Sequence, residues 1–157
     1  MAELLIFDLD GTLIDSRLDL VNAVNYMRQT MNLEPLDGER VVRMIGNGIN
    51  SLIRRAVADA DVDFETALQR MTRFYADHLL ESTRLYPGVS TSLAELKQNG
   101  IKLAVVTNKA SDAARTILEG LGVAGYFSDI IGGDDRYPLK PAPVHKHRKL
   151  HISPHLQ

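Results

Sequence analysis

The sequence of residues 3–16 is ELLIFDLDGTLIDS, a short apolar run followed by two carboxylates one residue apart and then Gly-Thr. The continuous apolar run from Leu4 to Phe7 predicts a strand buried on both faces of a parallel sheet. Ligands of such sheets bind beyond the carboxyl ends of the strands. We therefore expect Asp8 and Asp10 to face a ligand crevice, with the intervening leucine in the core. Gly11 would let the backbone turn sharply and approach the ligand.

The Asp8 and Asp10 carboxylates repel each other at a shared strand end, so they require a cation or a shared proton. A hard, oxygen-preferring ion such as Mg2+ suits the pair. An aspartate can also be a covalent nucleophile, and a second one can protonate a leaving oxygen and then activate water. The alternative is a solvated strand end with aspartates in a turn. The apolar run before the pair and the Gly-Thr after it favour the catalytic interpretation.

Apolar side chains recur at helical spacing throughout residues 17–82. Ser16, with Asp19 three positions later, resembles a helix N-cap with an acid in the first turn. Further helices are predicted over 39–45, after Gly48 and from about residue 64 onward. Because no strand interrupts these helices, they indicate an inserted helical domain and not a crossover between neighbouring strands.

A pattern of alternating helices and strands resumes at about residue 86. Strands are predicted at 101–106 and 127–131, with helices from Ser90 to about residue 99 and over 112–119. The fold class is therefore α/β, a parallel-sheet, Rossmann-like core with a helical cap inserted after its first strand.

The same patterns predict the domain division. The core comprises residues 1–16 and 84–143, the helical cap residues 17–83, and an atypical tail residues 144–157. Hinges are expected at residue 16 and at 83–86.

Thr107 and Lys140 are the polar candidates that follow the second and third predicted strands. The Thr107 hydroxyl, with the backbone N–H groups after it, can bind a phosphoryl oxygen near a helix N-terminus. Lys140 can neutralise a phosphate and the carboxylate pair at once. The alternatives are a threonine that satisfies its own turn and a solvated loop lysine.

Composition excludes several classes. A net charge near −2 gives no indication of a nucleic-acid partner or a membrane surface, and no apolar run approaches membrane-spanning length. The chain has no cysteine, which excludes disulfides and thiol chemistry and is compatible with a cytoplasmic location. The oligomeric state is not predicted by any pattern in the sequence.

The stretch DLDGTLIDS at residues 8–16 resembles the first motif of the haloacid-dehalogenase-like phosphatases. The second aspartate favours the phosphatase and phosphomutase branches. The finer similarity is to the bacterial phosphatases of 2-phosphoglycolate. This finer similarity rests on the order and spacing of four further motifs, and the resemblance covers residues 3 to about 143. The motifs are IGNGI at 45–49 with RRA at 54–56, YPGV at 86–89, VVTNK at 105–109, and IIGGD at 130–134 ahead of KP at 140–141.

The resemblance implies Mg2+-dependent hydrolysis of a small-molecule phosphoester, most simply 2-phosphoglycolate, through an aspartyl-phosphate. Asp8 would attack phosphorus and Asp10 would act as acid and then base, and both would serve the metal. Thr107 and Lys140 would hold the phosphoryl oxygens. The remaining expected substrate-binding residues are Gly11, Thr12, Asn108, Gly46 and Gly48. Arg54 and Arg55 offer a carboxylate site, although a solvated helix face is the favoured interpretation.

The sequence departs from the family after Lys140. The acidic fourth motif is absent, and the Gly133-Asp134-Asp135 run precedes Lys140, so it does not correspond to that motif. Ala142 stands where the family has aspartate. We therefore expect an incomplete core and a weakened Mg2+ site. Two alternatives stay open: a catalytically dead fragment or phosphate-binding remnant, and a sugar-phosphate phosphatase or phosphomutase.

Overall fold

A computed structural model describes residues 3–134 and 139–140. Their strands are β1 Leu4–Phe7, β2 Ile14–Asp15, β3 Arg84–Leu85, β4 Lys102–Val106 and β5 Asp129–Ile131. The α-helices are α1 Arg17–Thr30, α2 Gly38–Val42, α3 Ile49–Ala56, α4 Phe64–Asp77, α5 Val89–Gln98 and α6 Ser111–Gly120, and a 3-10 turn covers Ala124–Tyr126. The predicted tail and residues Asp135 and Ala142 lie outside this part of the chain.

The main sheet has three parallel strands in the order β1-β4-β5. Phe7 lies opposite Val105, and Val105 lies opposite Ile130. Helices α5 and α6 connect these strands, as in a βαβ unit. The α/β class with a parallel sheet is thereby confirmed, and the register sets the ends of β1 and β4 side by side.

The prediction that β1 is buried on both faces is wrong. Ile6 is 54% exposed, whereas Leu5 and Phe7 pack against the core on the opposite face. Successive side chains of a strand point to opposite faces, and β1 is an outer strand of the described sheet. Leu9, just beyond the strand, is fully buried as expected.

Helices α1 to α4 lie between strands β2 and β3 in the chain. These two strands form a small ribbon that the sequence did not predict. Strand β2 pairs antiparallel with β3, Asp15 opposite Arg84, and the Tyr86 N–H donates to the Leu13 carbonyl at 3.0 Å. With two residues per strand, no periodicity marks the ribbon. The cap helices therefore enter and leave the core at one point. The exact domain boundaries stay predictions.

Ser16 is the N-cap residue of α1 and Asp19 lies in the first turn of that helix, as expected. Ser16 precedes α1 without a side-chain capping bond, and its hydroxyl instead donates to Asp10 at 2.5 Å. Asp19 is only 1% exposed and accepts from the N–H groups of Ser82 and Thr83 and from the Thr83 hydroxyl, at 2.7–3.1 Å. The first cap helix is thus tied to the segment that leaves the cap. The predicted cap at Ser90 is wrong, because α5 begins at Val89 after Gly88.

A buried arginine joins the cap helices to one another. Arg28 of α1 forms a two-point ion pair with Asp59, at 2.9 and 3.1 Å, and also donates to the carbonyls of Glu34 and Ala56. The hydrogen bond from Arg28 holds the pKa of the Asp59 carboxyl below its ordinary value.

Among the described residues, no helix has the length and apolarity to cross a membrane.

We predict that Asp19→Asn lowers the free energy of unfolding by about 2–4 kcal/mol, because an amide turns a donor toward buried N–H groups that need an acceptor. Urea denaturation at neutral pH measures the change. Asp77→Asn, at an exposed position of α4, is the control and should unfold like the parent. Equal denaturation midpoints for the parent and Asp19→Asn would show that the hydrogen bonds from Ser82 and Thr83 to Asp19 contribute nothing to the free energy of unfolding.

Candidate active site

A cavity of about 280 Å³ lies between the cap helices and the ends of β1 and β4. Its floor is polar and its cap side is largely apolar. The residues that line it are Asp8, Asp10, Leu20, Ile45, Gly46, Gly48, Ile49, Leu52, Thr72, Tyr75, Ala76, Leu79, Thr107, Asn108, Lys109, Ala110, Asp112 and Ala113.

Asp8 extends from the end of β1 and contacts Lys140. The Lys140 Nζ lies 2.7 Å from Asp8 Oδ1 and also donates to the Val106 carbonyl at 2.8 Å. Asp8 Oδ1 accepts the Leu9 N–H at 2.8 Å as well, yet the Asp8 side chain is 47% exposed. The carboxylate is therefore both neutralised by a cation and open toward solvent.

Asp10 is held by a second lysine, which the sequence analysis did not single out. Lys109 Nζ lies 3.3 Å from Asp10 Oδ1, and the Ser16 hydroxyl donates to the same oxygen. The Lys109 ammonium also donates to the Tyr75 hydroxyl of α4 at 2.6 Å and lies 4.7 Å from the centre of that ring. Lys109 follows Thr107 and Asn108 in the quoted motif, but a lysine in a loop gives no separate signal.

Burial and charge act in opposite directions on the pKa of Lys109. Burial would lower it, but the Asp10 carboxylate and Tyr75 outweigh burial, so the pKa is raised. Burial raises the pKa of Tyr75, with the nearby Asp10 charge adding to it and Lys109 opposing it. The ammonium and the neutral phenol therefore persist together at neutral pH.

Asn108, expected to bind substrate, is engaged by the protein at both ends of its amide. Its Nδ2 donates to the carbonyls of Gly46 and Lys140 at 3.0 and 3.2 Å, and its Oδ1 accepts the Lys140 N–H at 2.7 Å. Asn108 thus fixes Lys140 and contacts the cap loop. Thr107 is buried at the cavity floor, and its hydroxyl oxygen accepts the Lys109 N–H at 3.1 Å.

The other expected substrate-binding residues divide into two groups. Gly46 and Gly48 line the cavity, whereas Gly11 and Thr12 are exposed and lie outside it. Gly11 has a φ of +78°, and its N–H donates to the Ile14 carbonyl at 2.9 Å. A glycine suits this conformation because it has no Cβ to clash, so Gly11 forms the turn after the carboxylates without lining the cavity.

The two cap arginines do not line the cavity. The Arg54 guanidinium lies 4.1 Å from the centre of the Phe64 ring, and Arg55 donates to the Met44 carbonyl at 3.1 Å. Both side chains are on the exposed face of α3, in agreement with the favoured interpretation.

Asp134, which does not correspond to the fourth motif, forms a hydrogen bond to the first residue of helix α6. Its Oδ1 accepts the Ser111 N–H at the start of α6 at 2.7 Å, and this bond lowers the pKa of Asp134. Gly133 permits the chain after β5 to approach the loop after β4 closely, because a Cβ on Gly133 would come within 2.5 Å of the Asn108 carbonyl oxygen. The end of β5 therefore packs tightly against the loop after β4.

The Asp8 carboxylate and the Asp10 backbone carbonyl provide oxygen donors of the kind that Mg2+ prefers. The lysine contacts involve one oxygen of each aspartate carboxylate. Residues 3–134 and 139–140 hold no group of three acidic or histidine side chains placed to enclose a metal. Mg2+ commonly uses one or two carboxylates with water and phosphate oxygens, so the pair fits that mode of binding.

We predict that Asp134→Ala lowers the free energy of unfolding by about 1 kcal/mol near pH 7, since it removes an acceptor at the start of a helix. Because the folded pKa is depressed, this stabilisation is present above the unfolded pKa of about 3.9 and is lost as the pH falls through the folded value. Urea titrations across this range should show the difference narrowing in acid. Asp61→Ala, in an exposed cap loop, is the control. A difference that stays constant with pH would contradict the role of the charge.

Comparison with known proteins gives consistent matches. The chain is 42% identical to the phosphoglycolate phosphatase of Chromobacterium violaceum over 144 residues, and 42% identical to that of Rhodospirillum rubrum over 153 residues. These alignments cover 88% and 92% of this chain but 65% and 64% of the relatives. The chain therefore spans less than two thirds of the length of these relatives.

The crystal structure of a predicted phosphoglycolate phosphatase from Haemophilus somnus 129PT superimposes with a TM-score of 0.88 at 35% identity, covering 92% of this chain and 68% of that one. The family model of haloacid dehalogenase-like hydrolases matches residues 5–151. The chain belongs to the haloacid dehalogenase-like hydrolase family.

Proposed function

We propose that this protein is a phosphomonoester hydrolase that acts on 2-phosphoglycolate. The observation that carries the proposal is the pair of carboxylates at the end of β1, each in contact with its own lysine, at the polar floor of a cavity covered by the cap. Relatives with about 40% identity are named phosphoglycolate phosphatases, and this supports the choice of substrate.

Asp8 is the nucleophile in this proposal. An Asp8 oxygen forms a bond to phosphorus while the bond from phosphorus to the leaving oxygen breaks, which gives an aspartyl-phosphate and the alcohol product. Its partial exposure to the cavity leaves the carboxylate accessible to substrate. Water then attacks the same phosphorus, releasing inorganic phosphate and restoring the Asp8 carboxylate.

Asp10 is the general acid and then the general base in this proposal. In its protonated form it donates a proton to the leaving oxygen, and as a carboxylate it then accepts a proton from the attacking water. The side chain lies one residue past the nucleophile and lines the same cavity. The Ser16 and Lys109 contacts fix one of its oxygens.

Lys140 and Thr107 hold the phosphoryl group. The Lys140 ammonium lies 2.7 Å from Asp8, so a phosphoryl group that reaches Asp8 meets the same cation. The Thr107 hydroxyl lies on the cavity floor just before α6. Fixed positive charge and hydrogen-bond donors at such a site provide most of the stabilisation of a phosphoryl-transfer transition state.

Mg2+ is the proposed cofactor. The Asp8 carboxylate and the Asp10 backbone carbonyl would hold it, and it would supply further positive charge to the phosphoryl oxygens. Further closure of the cap would exclude bulk water from the reacting groups. A cytoplasmic location and the absence of a nucleic-acid partner stay predictions, as does the domain division proposed above.

We predict that Asp8→Asn reduces phosphate release from 2-phosphoglycolate by at least about 10³-fold, since the amide retains the size of the side chain but is not a nucleophile. A colorimetric phosphate assay measures the rate. Asp61→Asn in the cap loop is the matched control and should retain the activity of the parent. Hydrolysis by Asp8→Asn at the parent rate would refute the assignment, and a parent without activity on any phosphoester would favour a phosphate-binding remnant.

We predict that removal of divalent cations with a chelator abolishes turnover and that added Mg2+ restores it, because an anionic substrate must approach two carboxylates. The same assay, run across a Mg2+ titration, gives the apparent affinity. Full activity in excess chelator would contradict the proposed cofactor.

A further inference from the structure

Two consecutive residues of the loop after β4 contact the cap. Asn108 donates to the Gly46 carbonyl of the cap loop, and Lys109 donates to the Tyr75 hydroxyl of α4. Neither contact includes a predicted reacting group. The contact between Lys109 and Tyr75, however, is linked directly to Asp10, because the Lys109 ammonium also lies 3.3 Å from the Asp10 carboxylate.

The geometry around Lys109 leaves its ammonium little freedom. The Lys109 side chain is 6% exposed, and Tyr75 is 5% exposed. An ammonium has three N–H donors and no acceptor, and a buried one is costly unless its donors are satisfied. The Tyr75 hydroxyl accepts from the ammonium at 2.6 Å and Asp10 pairs with it at 3.3 Å, so the tyrosine oxygen helps to fix where the charge lies relative to Asp10.

Asp10 is also tied to the base of the cap. The Ser16 hydroxyl, which immediately precedes α1, donates to the same Asp10 oxygen that faces Lys109. Of the two groups that contact this oxygen, Ser16 is the last residue of the predicted core segment, whereas Lys109 is held to the cap through Tyr75. A cap that moves away from the core would take the Tyr75 hydroxyl with it.

We infer that Tyr75 is a positioning residue that couples closure of the cap to the acid–base function of Asp10 through Lys109. When the cap is closed, the Tyr75 hydroxyl holds the ammonium against Asp10. When the cap is open, Lys109 loses that acceptor, and of the two contacts that orient the carboxylate only the one from Ser16 stays fixed. The inference rests on the proposed function, since it assigns Asp10 the proton transfers described above.

A leaving-group comparison tests this role. The parameter kcat/KM covers the steps up to departure of the leaving group. The alkoxide of 2-phosphoglycolate needs a proton from Asp10, whereas p-nitrophenolate leaves without one. We expect Tyr75→Phe, which keeps the ring and removes the hydroxyl, to lower kcat/KM about tenfold for 2-phosphoglycolate and less than about twofold for p-nitrophenyl phosphate.

The matched control is Tyr26→Phe, which removes a tyrosine hydroxyl from an exposed position of α1. It should retain both activities. An equal loss on the two esters in Tyr75→Phe would indicate a merely structural effect and overturn the inference. No loss on either ester would overturn it as well.

A second measurement does not require activity. Reductive methylation followed by mass spectrometry reports how fast the Lys109 amine reacts in the folded chain. We expect Lys109 to react several times faster in Tyr75→Phe than in the parent or in Tyr26→Phe, because the ammonium has lost an acceptor. Equal rates in all three would overturn the inference. A parent that hydrolyses neither ester would refute the proposed function, while the labelling rates still decide whether Tyr75 holds Lys109.

Discussion

Repulsion between two carboxylates one residue apart is the constraint on which the rest of this site depends. Asp8 and Asp10 follow the end of β1, and like charges so close in the chain disfavour each other unless cations compensate them. The loops after β4 and β5 each supply one lysine, Lys109 to Asp10 and Lys140 to Asp8. Because β4 is next to β1 in a parallel sheet, the topology delivers these cations to the edge where the carboxylates lie.

Much of this arrangement could be predicted from the sequence, because it follows strand ends. Apolar runs locate β1, β4 and β5, and the first polar residues after β1 and β4 are Asp8 and Thr107. The cavity lining brings these residues together, and Lys140 contacts Asp8. Helical spacing likewise located the four cap helices, although Ser90 and Ser16 do not cap their helices through side chains.

The rest could not be predicted, because the residues concerned have ordinary explanations in the sequence. Tyr75 belongs to an apolar stripe of α4, where an aromatic side chain needs no other role. Lys109 is a loop lysine, and Asp19 resembles an acid in the first turn of a helix. Each of the three functions through a partner more than 30 residues away. Only the tertiary structure reveals such pairs.

The β2–β3 ribbon has a consequence for how such enzymes diversify. Because the chain leaves and returns to the core through two adjacent strands, the helices between them form a module whose covalent connections to the core lie at one place. The entropy of closing a loop rises only with the logarithm of its length, so replacing this module by one of different size changes the stability of the core little. The polar floor of the cavity can thus stay unchanged while the chamber above it is exchanged, provided that each new module brings an acceptor to Lys109.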